Sequence, residues 1–378
     1  MHRATLRAAL LIALLATHAE IAHAQIFTNK EVGKKNAALV DSLKHSEYPY
    51  ALPIWGDKAT KRGFSLPYSA GLSLQYFGQR SDILVENLMV GFNNGPMYDL
   101  DGIVRFDETI SRSDGISFRP DIWLFPFLNI YAILGRSAAS TEVNYGIWLP
   151  DSTGHEQQIA ALNTKVEFNA TTFGFGITPT MGVGGGWIAL DMNFTWTDVP
   201  QLNEPASAFV FDPRIGKAFR LGSNPDRNIN TWVGGFRLKI NTGTTGSIPL
   251  SDALPIDQWQ ATVNEGMDKI ATRDAEVEAW WNSLSPAEQA NPVNRARYDA
   301  SKAALARAGE VLDAANRAVS NAASSTVQYS IDKRPEDMWN FMVGAQYQHN
   351  KSWMLRAEVG FLTSRTHVIA GLQYRFGL

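Results

Sequence analysis

Residues 187–197 constrain this chain more than any other segment. Ile188, Leu190, Met192, Phe194 and Trp196 occupy alternate positions, with Trp187, Ala189, Asp191, Asn193 and Thr195 between them. A period of two marks a β-strand, and a strand with one wholly apolar and one mostly polar face separates an apolar from a polar medium. The segment before it repeats the pattern, Phe173, Phe175, Ile177, Pro179 and Met181 alternating with Thr172, Gly174, Gly176, Thr178 and Thr180. The glycines at 182 and 184–186 supply the turn between the two.

The same alternation recurs along the chain. Over 116–124, Ile116, Phe118, Ile122 and Leu124 oppose Ser117, Arg119 and Asp121. Over 142–148, Val143, Tyr145 and Ile147 oppose Glu142, Asn144 and Gly146. Over 209–221, Phe209, Phe211, Ile215, Phe219 and Leu221 oppose Asp212, Arg214 and Arg220, with Lys217 interrupting the apolar face. Over 231–241, Trp232, Phe236, Leu238 and Ile240 oppose Thr231, Arg237, Lys239 and Asn241. Shorter candidates lie at 70–78, 84–93, 103–111 and 325–333. Near the end, Trp339, Phe341, Val343, Ala345 and Tyr347 form one stripe, and Trp353, Leu355, Ala357, Val359 and Phe361 another. The third stripe is Val368, Ala370, Leu372, Tyr374, Phe376 and Leu378, with turns at 349–352 and 363–366.

A last strand that ends on alternating hydrophobics resembles the terminal signal of Gram-negative outer-membrane β-barrel proteins. Their final residue is usually aromatic; here it is Leu378, with Tyr374 and Phe376 at the expected spacing. The resemblance implies an all-β, transmembrane, antiparallel up-and-down barrel of about 12–14 strands. It also implies lipid around the outer face and a barrel-assembly machinery that engages the C-terminal strand. A soluble periplasmic β-sandwich would alternate as well. Trp123, Trp148, Trp187, Trp232, Trp339 and Trp353 at strand ends, read as interfacial girdles, favour the barrel, as does alternation through the last residue.

Residues 1–24 read as a cleaved secretory signal peptide: Arg3 and Arg7, an apolar run from Ala8 to Ala16, and the Ala22-His23-Ala24 site before Gln25. The chain has no cysteine, which removes thiol nucleophiles and thiolate metal sites. Arg3, Arg7 and Glu20 contribute +1 to a whole-chain charge of −3, so the mature chain carries about −4. No basic excess is present to bind nucleic acid. Residues 25–65 lack alternation and read as a periplasmic N-terminal arm or partial plug. Barrel strands are expected over 66–250 and 325–378.

Between them, 251–324 switches to helical spacing. Trp259, Val263, Met267, Ile270, Val277, Trp281 and Leu284 form one stripe; Tyr298, Ser301, Leu305, Ala308, Leu312, Ala315, Val319 and Ala322 form a heptad seam. Ser285-Pro286-Ala287-Glu288 is a capping box with proline at the first helical position. The segment is expected to be an inserted helical hairpin. Counted as an even number, about ten, the strand candidates before it place it on the periplasmic side, because both barrel ends normally lie there.

No catalytic motif is present: no G-x-S-x-G, no H-E-x-x-H, no P-loop and no histidine cluster. His367 with Ser364 nearby is too little for a hydrolase, so no enzyme, metal or cofactor is expected. Alternation points a mixed set of charges into the lumen: Arg105, Asp107, Arg119, Asp121, Glu142, Asp191, Arg214, Arg220, Arg237, Lys239, Arg356, Glu358 and Arg375. Such groups line a polar channel or lock into salt bridges. Porin-like passage of small molecules across the outer membrane is the leading reading. The other is a structural or binding protein whose hairpin engages a protein partner.

Overall fold

The computed structural model describes residues 36–378 apart from 152, 154, 201, 203, 223, 225, 241–242, 251–255, 322–323 and 363. The leader and the start of the arm lie outside these residues, as do Asn241 and Ala322. Two short helices, α1 (Ala37–His45) and α2 (Gly56–Thr60), come first. The strands up to the insertion are β1 (Ala70–Phe92), β2 (Met97–Asp99), β3 (Val104–Phe125), β4 (Leu128–Pro150), β5 (Glu156–Val183), β6 (Gly186–Asp198), β7 (Ala206–Arg220), β8 (Asn228–Ile240) and β9 (Gly243–Pro249). The insertion holds α3 (Ile256–Ser283), α4 (Pro286–Gln289) and α5 (Pro292–Val319), and β10 (Thr326–Pro335), β11 (Trp339–Gln348), β12 (Trp353–Leu362) and β13 (Arg365–Phe376) follow.

Among the described residues, ten of these thirteen strands close a ring in the order β1-β3-β4-β5-β6-β7-β8-β11-β12-β13, antiparallel throughout. Closure is made by β13 against β1, from Ala70 opposite Phe376 to Ser81 opposite Arg365. The ring is smaller than the expected barrel of about 12–14 strands, and β2, β9 and β10 stand outside it. Above Ser81, β1 parts from β13 and pairs with β10, which pairs with β9.

The outer face is apolar around this ring. Leu74, Ile116, Ile215 and Leu355 are each 54–56 % exposed, the arrangement of a surface whose solvent is lipid. Strands β11 to β13 are 10–12 residues long, matching the roughly 9–11 residues of a tilted bilayer crossing. Strands β3, β4 and β5, of 22, 23 and 28 residues, extend well beyond that band at the end opposite the termini.

Beyond the band the faces exchange roles. Low on β4, Ile130 and Leu134 face outward while Asn129 and Tyr131 face the lumen; higher up, the inward parity falls on Ile147 and Leu149. On the outside there, ion pairs replace apolar side chains, including Arg112–Glu142 at 3.5 Å, Arg334–Glu86 at 2.9 Å and Arg105–Glu156. Segments 70–78 and 84–93 are therefore one strand, and so are 103–111 and 116–124. This merging corrects the placement of the insertion. Seven ring strands precede it, an odd number, so the hairpin lies at the end opposite Ala70 and Phe376.

There it fills the concave inner face of the long strands. Val263, Ala315, Ala318 and Val319 pack on Phe92, Val327 and Leu250, with Met267 and Leu312 alongside. Val277, Leu305 and Ala308 pack on Ile103, Leu149 and Ile147. The small seam residues matter: an added Cβ at Gly266 would meet Leu312 at 2.8 Å. The tip is set by the capping box, Ser285 taking the Glu288 amide while the Glu288 carboxylate accepts from the Ser285 amide. Arg273 donates to Gln157 at 2.6 Å, tying α3 to the start of β5.

At the other end the arm crosses beneath the ring. The Leu52 amide donates to the Leu378 carbonyl at 3.2 Å, and the Ile54 amide to Leu124 at 2.9 Å. Trp55 joins Phe125 and Phe127 in an aromatic cluster at that rim.

Deleting Tyr374–Leu378 removes the register that closes the ring, so the truncated chain is expected to lose its heat-modifiable gel form altogether. Leu305→Asp puts a carboxylate into the hairpin's packing surface at a cost of at least about 2–5 kcal/mol. Because ring strands pair among themselves, the expected result is loss of helical ellipticity with heat-modifiable migration retained.

Candidate functional site

The lumen holds the polar chemistry of this protein, and strand register decides which side chains enter it. Asp191 on β6 stands directly opposite Asp212 on β7. Two like charges this close require a cation, and Arg214 supplies it. Its guanidinium pairs with Asp191, lies 3.5 Å from Asp212 and reaches Glu358 on β12 at 3.9 Å. Glu358 in turn pairs with Arg356 at 2.9 Å and accepts from the Trp232 indole N–H at 3.0 Å. Arg119 on β3 donates to Asn193 at 2.8 Å and to Gln75 at 3.1 Å, with its guanidinium over the Tyr131 ring. The Tyr131 hydroxyl donates to Asp191.

Three carboxylates and three guanidiniums thus form one charge-balanced layer across the lumen. Arg214 and Glu358 are 7 % and 1 % exposed, so desolvation is severe, and pairing with hydrogen bonding makes it tolerable. Two glycines make room for its rings: a Cβ at Gly176 would meet the Tyr131 ring at 2.1 Å, and one at Gly344 the Trp232 indole at 2.4 Å.

A second pair lies nearer the termini. Arg375 on β13 reaches Asp121 at 2.8 Å and donates to the Tyr68 carbonyl at 3.0 Å; Asn129 and Gln373 also donate to Asp121. Between this pair and the charged layer is a cavity of about 250 Å³, whose lining includes side chains from all ten ring strands. Beyond the layer, toward the hairpin, is another of about 240 Å³, lined by Phe77, Gln79, Phe236 and His367 among others. Gln75, Arg119, Asp191 and Arg356 line both. At the mouth beside the termini a third, also about 240 Å³, is lined by Asn36, Leu66, Pro67, Arg220 and Lys351.

The register brings Arg119, Asp121, Asp191, Arg214, Arg356, Glu358 and Arg375 into the lumen, and Arg220 into its mouth. It does not bring Glu142, Arg237 or Lys239. Glu142 faces outward, above the apolar band, where Arg112 meets it. Arg237 stands opposite Phe211 and Trp339, and Lys239 opposite Phe209, all on the outer face. Long cationic side chains there can keep an aliphatic stem on the wall while the charge reaches the interface. Trp232 and Phe236 take the inward positions instead. Trp123, Trp187 and Trp232 consequently line the lumen rather than a girdle, while Trp339 and Trp353 remain outside. Arg105 is also outside, with Glu156. Ser364 donates to Asp337 at 2.8 Å and is not paired with His367, whose ring lies against Phe236.

Sequence reading missed Asp212, Tyr131, Trp232 and the lumen glutamines as site residues. The available signal was the pairing of glycines with inward aromatics, visible only once strands are in register.

Arg214→Ala would leave three buried carboxylates facing one another, with an expected loss of about 3–5 kcal/mol. Arg237→Gln, on the outer face, should cost less than about 1 kcal/mol. Urea unfolding in detergent micelles measures both.

No family model matches the chain, and no curated protein does. Among solved structures it is similar to the β domain of the Bordetella autotransporter Brka, at 9 % identity over 82 % of this chain and 100 % of that one, TM-score 0.33. It is also similar to a Pseudomonas aeruginosa FadL homologue, at 9 % identity over 94 % and 100 %, TM-score 0.26. A third is the P. putida toluene transporter TodX, at 7 % identity over 82 % and 91 %, TM-score 0.26. A closed antiparallel ring with an apolar outer wall and a charged, hydrogen-bonded interior is the architecture of outer-membrane transmembrane β-barrels, and this chain has it.

Proposed function

We propose that this protein is a gated passage for small solutes across the outer membrane, shut at rest by the charged layer. The observation that carries the reading is the column of cavities, one on each side of the layer and another at the mouth beside the termini. A fixed plug has no need of solvent-sized space on both sides. A ring of about eight strands can hold one small ligand, and porins need about sixteen for an aqueous channel. Ten strands therefore suit a small solute moving by displacement of side chains, not an open pore.

In this reading the leader is cleaved after Ala24 and the termini face the periplasm. The short turns beside the termini, such as Gly184-Gly185, and the long excursions at the other end support that orientation. The arm partly plugs the periplasmic mouth, the hairpin is a lid in the outer mouth, and the terminal strand engages the assembly machinery. A second reading, in which the hairpin engages a protein partner, draws on its tip, where Val293 is 63 % exposed.

Planar bilayers test the proposal. The wild-type protein should open rarely and briefly, and Arg214→Ala should open about tenfold more often, the effect of roughly 1.4 kcal/mol on the closed state. If neither protein conducts, passage is excluded and the partner reading takes its place.

A further inference from the structure

We propose that the lumen cavity between the charged layer and the Asp121–Arg375 pair binds a small, neutral, polyhydroxylated solute, a sugar of one or two rings. This deepens the passage reading, and rests on it, by naming the class of solute that passes.

The chemistry of the lining carries the inference. Its charges are spent on one another: Arg375 on Asp121 at 2.8 Å, Arg356 on Glu358 at 2.9 Å, and Arg214 on Asp191. Arg119, the remaining cation of the lining, is engaged by Gln75 at 3.1 Å, Asn193 at 2.8 Å and the Tyr131 ring, so an ionic solute would have to leave water and displace one of these partners. The uncharged polar groups include hydroxyls, such as Ser73 and Thr178, and side-chain amides, among them Gln346, Gln348, Gln373 and Asn230. Each amide offers two donors and an acceptor, the pairing that vicinal hydroxyls satisfy and a hydrocarbon leaves unmet. Asn230 donates to Asn228 at 2.8 Å, whereas two of the glutamines are held more loosely. Gln346 donates to the Met354 sulfur, at 3.3 Å, and Gln373 to Asp121 at 3.3 Å. Two indoles, Trp187 and Trp232, stand 6.1 Å apart in the same wall. Indole rings offer flat apolar surface for the C–H face of a sugar. Amides around the edge and indoles on a face distinguish a sugar from an amino acid, an aromatic acid or an alkane. A volume of about 250 Å³, the space of roughly eight waters, calls for a compact solute and excludes a polymer coil.

Isothermal titration calorimetry on the full-length protein in detergent micelles tests this, with glucose and maltose as probes and arginine and benzoate as comparators. Saturable heat with at least one of the two sugars, and none with arginine or benzoate, is the expected result. The double variant Gln346→Leu/Gln348→Leu should weaken sugar binding at least about tenfold, the usual cost of removing buried polar partners. Heat-modifiable migration reports whether that variant folds. Should it fail to fold, Gln348→Asn, which keeps the amide but withdraws it by a methylene, should weaken binding severalfold. No saturable response to either sugar, an equal response to benzoate, or a response unchanged in the variants would overturn the proposal. The bilayer record is independent: binding without conductance removes passage and leaves the site, whereas conductance without binding removes the site and leaves passage.

Discussion

Backbone N–H and C=O groups surrounded by hydrocarbon have no partners except one another. A strand that crosses lipid must therefore be paired on both edges, and a sheet of such strands has to close. Here the closing pair is β13 with β1, where the last residues of the chain meet the first residues of the first strand. The rest of the architecture follows from that closure. It places the start of β1 and the end of β13 at one end, and the odd number of ring strands before the insertion then places the hairpin at the other.

Leaving the bilayer reverses the rule for side chains. Within the band, apolar groups face lipid and polar groups face inward. Beyond it, water surrounds the wall, and apolar groups do better turned inward against the hairpin. Strand β4 shows both regimes in one continuous element, with Leu134 exposed outside and Leu149 buried inside. The helices thus cover the inner faces of the long strands beyond the band. Without α3 and α5, the inner faces of β1, β4 and β10 would present Phe92, Leu149 and Val327 to water.

The lumen obeys a third constraint, charge balance under desolvation. Asp191 and Asp212 face each other across neighbouring strands, and the Arg214 guanidinium stands between them. Glu358 extends the same logic to β12, and Trp232 gives it a hydrogen-bond donor. A layer built from six interdependent charges has few intermediate arrangements. It is either assembled or disrupted, which is the behaviour wanted of a gate.

Local periodicity determined a good deal. It marked the transmembrane strands 187–197, 339–347, 353–361 and 368–378, because each crosses lipid with one apolar face for its full length. It marked the helical hairpin and its capping box, since helix spacing and caps are local properties. It also aimed Arg119, Asp121, Asp191, Arg214, Arg356, Glu358 and Arg375 inward. Tertiary structure decided the rest. Whether 70–78 and 84–93 were two strands or one depended on where the lipid ended, which no residue spells out. Glu142 lies outside because water surrounds the wall above the band, and Arg237 and Lys239 because register sets which face of β8 turns inward and a tryptophan can serve either side of the wall. The charged layer itself joins residues from β3, β6, β7 and β12, and only closure of the ring brings those strands face to face.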